Sequence, residues 1–216
     1  MRVHTVAALY LSLIHIYVIH FIGQVFYGMV AVIFPMIYCI IIGNRLIAAQ
    51  VDRGAMACLL STPTKRNQIT LTSALFLVLS LVVMFGFLAV FGISVCAVVQ
   101  PDALDAKAFL LLNTGCFLLM FATSGICFAA SCVFNLSKYS LALGAGIPLA
   151  FFLIQMMAQL SEDLEFLKYA TMNTLFDPDE IIAGDGYAAS FVVLAVIGLV
   201  LYGAGIKVFR EKDLPL

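Results

Sequence analysis

The sequence predicts an all-α fold: a polytopic helical membrane protein with about five full spanning helices behind an N-terminal apolar segment. Three observations predict it. The composition is 64% hydrophobic and 11% charged, with a mean hydropathy of +1.13, whereas a soluble domain is about half apolar and about a quarter charged. The apolar runs after residue 25 each reach the roughly 20 residues that cross a bilayer. The charges gather in the gaps between those runs. The chain from 1 to 216 reads as a single transmembrane domain.

Residues 1 to about 17 stand apart. Leu11-Ser12-Leu13-Ile14-His15-Ile16 resembles the translated end of a transposon used to prepare sequencing libraries, so this start is expected to be a chimeric artefact; an authentic but shortened first helix is the competing reading. His4, His15 and His20 all lie in this region and receive no role. The first full span runs from about Val25 to Ile47. Pro35 lies inside it, and a kink is expected there, because neighbouring helices can satisfy the carbonyl that a proline frees. Asn44 and Arg45 mark the exit into the interface.

Val51 to Arg66 follows as a short basic loop. Asp52 is suited to cap a helix N-terminus, since its carboxylate can accept from free amides one turn on. Thr62 precedes Pro63, and a pre-proline residue is pushed out of the α region. The marks predict a helix of about two turns, from about Arg53 to Leu60. Pro63 then suits the first position of the next helix. A solvated turn is the alternative.

The second span covers about Gln68 to Val99 and is longer than a bilayer requires, so it is expected to tilt. Gln100-Pro101-Asp102 ends it. The third span, about Lys107 to Phe134, carries Asn113, Thr114, Thr123, Ser124 and Ser131. These either line a polar path or hydrogen-bond to neighbouring helices, the commoner role. Gly125 and Ala129 form a small-xxx-small pair suited to close helix contact. After a short turn, Asn135 to Lys138, the fourth span runs from about Tyr139 to Leu160, with Pro148 as a second expected kink.

Ser161 to Tyr187 is the one sizeable polar segment, and it is acidic. Leu160, Leu164 and Leu167 recur at helical spacing. Asp177-Pro178-Asp179-Glu180 reads as a helix start: a cap, a first-position proline, then acids facing the positive end of the dipole. Gly184 and Gly186 can stop that helix. A calcium loop is the competing idea, but Ile181 stands where the next ligand would be needed. The last span covers about Ala188 to Val208.

Loop charge sets the expected orientation. Arg45, Arg53, Lys65, Arg66, Lys138, Lys207, Arg210 and Lys212 fall on one side, and only Lys107 and Lys168 on the other. The first set is expected in the cytoplasm. Residues 51–66, the 138 turn and the C-terminus are then cytoplasmic, and 161–187 extracellular.

Much chemistry is absent from the sequence. It contains no GxxxxGK[ST], no HExxH and no Ser-His-Asp set. A net charge of -1 excludes a nucleic-acid binder with a general basic field. Cys39, Cys58, Cys96, Cys116, Cys127 and Cys132 show no CxxC spacing and no partner histidine, so they read as small apolar filler rather than zinc ligands. No acid or base sits mid-span, where a proton relay would need one. A permease driven from outside the chain and a passive membrane scaffold remain.

Gly54, Leu59, Leu60, Ser61, Thr62, Pro63 and Arg66 carry a resemblance. The stretch resembles the signature after the second membrane helix of permease subunits of type-2 ABC exporters. Phe34-Pro35-Met36-Ile37-Tyr38, Gly43-Asn44-Arg45-Leu46 and Phe209-Arg210-Glu211-Lys212-Asp213-Leu214 extend it over roughly residues 20 to 216. Gln50 stands where the family has Glu, and Ala55 where it has Thr.

The resemblance implies an exporter permease of the bacterial plasma membrane, with no cofactor of its own. A separate ABC ATPase subunit would bind and hydrolyse ATP, and a second permease subunit, identical or not, would complete the assembly. Asp52, Arg53, Gly54, Met56, Leu59, Leu60, Pro63 and Arg66 would form the ATPase-coupling segment, with Met56, Leu59 and Leu60 as its apolar face in a groove. Asn113, Thr114, Thr123 and Ser124 are the candidate translocation path. The family also implies a further membrane helix before residue 20, and its re-entrant helix pair resembles Ser161 to Tyr187. A structural or immunity-type membrane protein without an ATPase is the rival reading.

Overall fold

The computed structural model describes residues 26–27, 29–56, 66–99, 106–160, 171–183 and 186–212. The expected artefact at residues 1–17, the helix expected around Leu164 and Leu167, and Leu59, Leu60, Pro63 and Lys65 lie outside them. The described residues contain no strand. The helices are α1 (Ala31–Leu46), α2 (Ala48–Asp52), α3 (Arg66–Val99), α4 (Ala106–Val133), α5 (Ser137–Leu160), a 3-10 turn (Met172–Leu175), α6 (Pro178–Ala183) and α7 (Tyr187–Glu211). Among the described residues, five stretches are long and apolar enough to cross a membrane: Ala31–Asp52, Arg66–Val95, Lys107–Val133, Ser137–Ala158 and Tyr187–Glu211. The last four expected spans are recovered to within a few residues, and the first, expected from about Val25 to Ile47, is found at Ala31–Asp52. At 34 residues, α3 extends about 51 Å at ~1.5 Å per residue, well beyond a hydrocarbon core of ~30 Å.

The bundle is built around α4. Its spanning window is 61% buried, against 44% for the first span and 22% for each of the others. The other long helices pack around it and turn apolar side chains outward, among them Leu75, Phe87 and Val90 of α3 and Val192 and Leu199 of α7. In a spanning chain such a surface meets acyl chains instead of water.

Pro35 and Pro148 both lie within continuous helices, α1 and α5. A proline has no N–H, so the carbonyl four residues earlier loses its helical donor. Those carbonyls belong to Ala31 and Gly144. The Cys116 thiol donates to the Ala31 carbonyl (3.4 Å) and the Cys127 thiol to the Gly144 carbonyl (3.1 Å). Two cysteines expected to be filler are thus the donors that let two proline helices pack on α4.

The α4–α7 seam depends on small residues. A Cβ on Gly125 would lie 3.0 Å from Cβ of Leu201, and one on Gly205 would lie 3.3 Å from Cα of Ala129. The expected Gly125/Ala129 pair therefore faces α7. Gly198 leaves room for the Phe121 ring, and Gly205 for the Phe128 ring. Tyr202 packs against both rings, with centroids 5.4 and 5.0 Å away.

The helix break falls at Ile47 (φ −128°, ψ −66°), not at Pro35. The Ala48 amide, exposed by that break, donates to the Ser131 hydroxyl on α4 at 2.8 Å. At the opposite end of the bundle, the 3-10 turn and α6 fold back onto the helices. Met172, Phe176 and Ile181 are buried, and Phe176 fills the space beside Gly115 of α4. The Asp177 carboxylate accepts from the Asp179 amide (2.9 Å) ahead of the Pro178 helix, as the sequence predicts.

Candidate functional site

The loop-charge pattern singles out one end of the bundle, where α1 and α2 end, α3 begins, α4 turns into α5 and α7 ends. Arg45, Arg53, Lys138, Lys207 and Arg210 are exposed there.

Asp52 is the last residue of α2 and does not open the following helix. Its carboxylate accepts from the Ser137 amide at 3.2 Å. It therefore caps α5, a neighbouring helix, where free amides and the positive dipole end favour an anion. The Asn44 side-chain amide donates to the Ser137 hydroxyl of the same turn at 2.7 Å. The helix expected to start at Asp52 is interrupted: Arg53 and Gly54 form a turn, Gly54 has φ +71°, and helical geometry resumes at Ala55 and Met56. A positive φ suits glycine because it has no Cβ to clash. Met56 is 1% exposed and packs among Ile47, Leu77, Phe128, Tyr202 and Phe209. It is turned into the bundle and is not on an outer face, as the sequence reading had it.

Arg66, the first residue of α3, donates from Nη1 to the Lys212 carbonyl at 3.1 Å. Lys212 follows α7, and its Nζ donates to the carbonyls of Val133 (2.7 Å) and Cys132 (3.2 Å), the last residues of α4. Free carbonyls and a negative dipole end favour a cation there. Burial lowers the pKa of Lys212 from the ordinary lysine value, as expected for a cation partly removed from water.

The α4 residues proposed for a polar path do not converge. Asn113 is buried, accepts from the Tyr27 hydroxyl (3.2 Å) and donates to the Phe85 carbonyl (3.2 Å). Thr123 is buried and donates to the Leu119 carbonyl (2.9 Å). Ser124 is buried against the Tyr202 hydroxyl (2.8 Å). Thr114 is exposed and bonds to the Leu110 carbonyl (2.8 Å). Asn113 and Ser124 have the geometry of helix-to-helix glue, Thr123 bonds back within α4, and of the four Thr114 alone is exposed.

The sequence offered Ser131 as a helix-to-helix contact and put Lys212 on the basic side, but it did not single out Ser137 or name the partner of any of the three. Each sits within a turn of a helix terminus, where free backbone groups need partners, but no spacing says which terminus it will meet. No group of three or more His, Cys, Asp or Glu side chains able to hold a metal occurs among the described residues. What the arrangement can do is mechanical, because it ties the flanks of one loop to the ends of three other helices, α5, α7 and α4.

Fold and site together define a class, that of multi-spanning helical membrane proteins with a charged loop rooted at one end of the bundle. A family model described as ABC-2 family transporter protein matches residues 4–214. The chain belongs to that family and is a type-2 ABC permease, a membrane subunit of an ABC transporter. Membership implies association with an ABC ATPase and a lipid bilayer. No curated protein and no solved structure matches the chain.

Proposed function

We propose that this chain is the permease subunit of an ATP-driven exporter in the bacterial plasma membrane, with its basic end in the cytoplasm. ATP binding and hydrolysis belong to the separate ATPase subunit, and residues 53–65 dock on it. A second permease subunit, identical or not, completes the assembly. One observation carries the reading beyond the family match. The loop expected to meet the ATPase has both flanks tied to helix termini, through Asp52 on Ser137 and Arg66 on Lys212. A load on that loop is therefore passed to the bundle. With Met56 packed inside, docking falls to the residues beyond it. Of Asn113, Thr114, Thr123 and Ser124, Thr114 is the exposed one, and the translocation path runs over that face.

Co-purification of the ATPase with Leu59→Arg, alongside measured membrane levels of the permease, tests the reading. A cation buried without a partner costs several kcal/mol, and about 1.4 kcal/mol is tenfold in affinity. ATPase recovery should fall by orders of magnitude at unchanged membrane levels, while Thr64→Ala is nearly silent. Full ATPase binding and transport by Leu59→Arg would show the segment to be only a solvated turn, whereas a wild-type chain that recovers no ATPase would favour the passive scaffold.

A further inference from the structure

The bonds at the basic end form a closed chain. The residue that enters the 53–65 loop, Asp52, holds the Ser137 amide at the start of α5. The residue that leaves it, Arg66, holds the Lys212 carbonyl, and the Lys212 ammonium holds the end carbonyls of α4. Only Phe134 to Leu136 separate the end of α4 from the start of α5, so the two flanks of the loop are bonded to the two ends of one short turn. Nearby, Asn44 Oδ1, Asn135 Oδ1 and Ser140 Oγ are buried oxygens without a hydrogen-bond partner among the described residues.

We propose that Lys212 is a positioning residue for coupling: with Arg66 it forms a latch that transmits displacement of the 53–65 loop to the α4–α5 turn and the end of α7. This deepens the docking reading and rests on it. Lys212 contacts α4 through its side chain and Arg66 through its backbone carbonyl. Lys212→Gln therefore cuts the link to α4 and leaves the acceptor for Arg66 in place. Arg66→Gln cuts the other link alone. Links in series do not add, whereas independent contacts do.

The test uses the full chain in lipid nanodiscs, with and without its ATPase. Without it, hydrogen exchange in the last turn of α7 should rise about tenfold in either single variant, the scale of one lost charge-assisted bond. The double variant should exchange no faster than the worse single one. With it, the variants should retain wild-type amounts of ATPase, while hydrolysis per complex changes severalfold in each and returns with Lys212→Arg. Additive effects in the double variant, or hydrolysis per complex unchanged in both singles, would overturn the latch. A wild-type chain that retains no ATPase would sink the docking reading and, with it, the coupling role of Lys212; the exchange data would then show whether the series link exists as structure alone.

Discussion

Cys116 and Cys127 each donate to a carbonyl that a proline on another helix has freed. Thiols are weak donors, but a buried carbonyl left without one costs about 1–3 kcal/mol. Cys127→Ala should therefore lower the thermal unfolding midpoint in detergent, and Cys127→Ser should hold it near wild type. Pro148→Ala returns an amide to the Gly144 carbonyl, so adding it should make Cys127→Ala nearly neutral. Equal losses for alanine and serine would show the thiol to be filler after all. Arg66 teaches a similar lesson. A cation at a helix N-terminus opposes the dipole by under about 1 kcal/mol, and Arg66 stands there because its guanidinium reaches the C-terminal end of α7. Its basic character was legible in the sequence, but its partner 146 positions away was not.

The spans, as elements, were legible because about 20 apolar residues in succession have few places to go except a bilayer. The break at Ile47 was not, since its stabilising partner is Ser131, a hydroxyl 83 positions away from Ala48. The α4–α7 seam was half legible. Gly125 and Ala129 announced a close contact, but the aromatic layer of Phe121, Phe128 and Tyr202 depends on which helix arrives. Gly198→Ala tests that seam. Its Cβ would come 2.4 Å from the Phe121 ring, and overpacking of this kind costs about 1–3 kcal/mol. Gly203, on the same helix, has nothing within 4 Å of its Cβ position. Gly203→Ala should leave thermal stability unchanged or slightly raised, since alanine is the better helix former by about 1 kcal/mol. If both variants melt alike, the seam is not the constraint the geometry makes it.

For the whole molecule, the proposed orientation puts the basic end in the cytoplasm, on the strength of the loop-charge bias. Cysteines introduced at Lys138 and Arg210 should react with an impermeant maleimide only after the cytoplasmic face is opened, and one at Glu180 should react in intact cells. All three positions are exposed. The background should carry serine at Cys116 and Cys127, which keeps the donors for the proline carbonyls. A Glu180 label reached only from the cytoplasm would invert the assignment. By itself the sequence determined that this chain is a helical membrane protein, where its spans lie and which loops share a side. Those properties follow from local hydropathy and from charge counted loop by loop, and both can be summed along the chain. Only the tertiary structure decided that α4 is the centre, that Met56 turns inward, that Asp52 caps α5, and that Arg66 and Lys212 tie three helix ends together. Each of these is a choice among chemically equivalent helix termini or faces, and it is settled by which helix packs beside which.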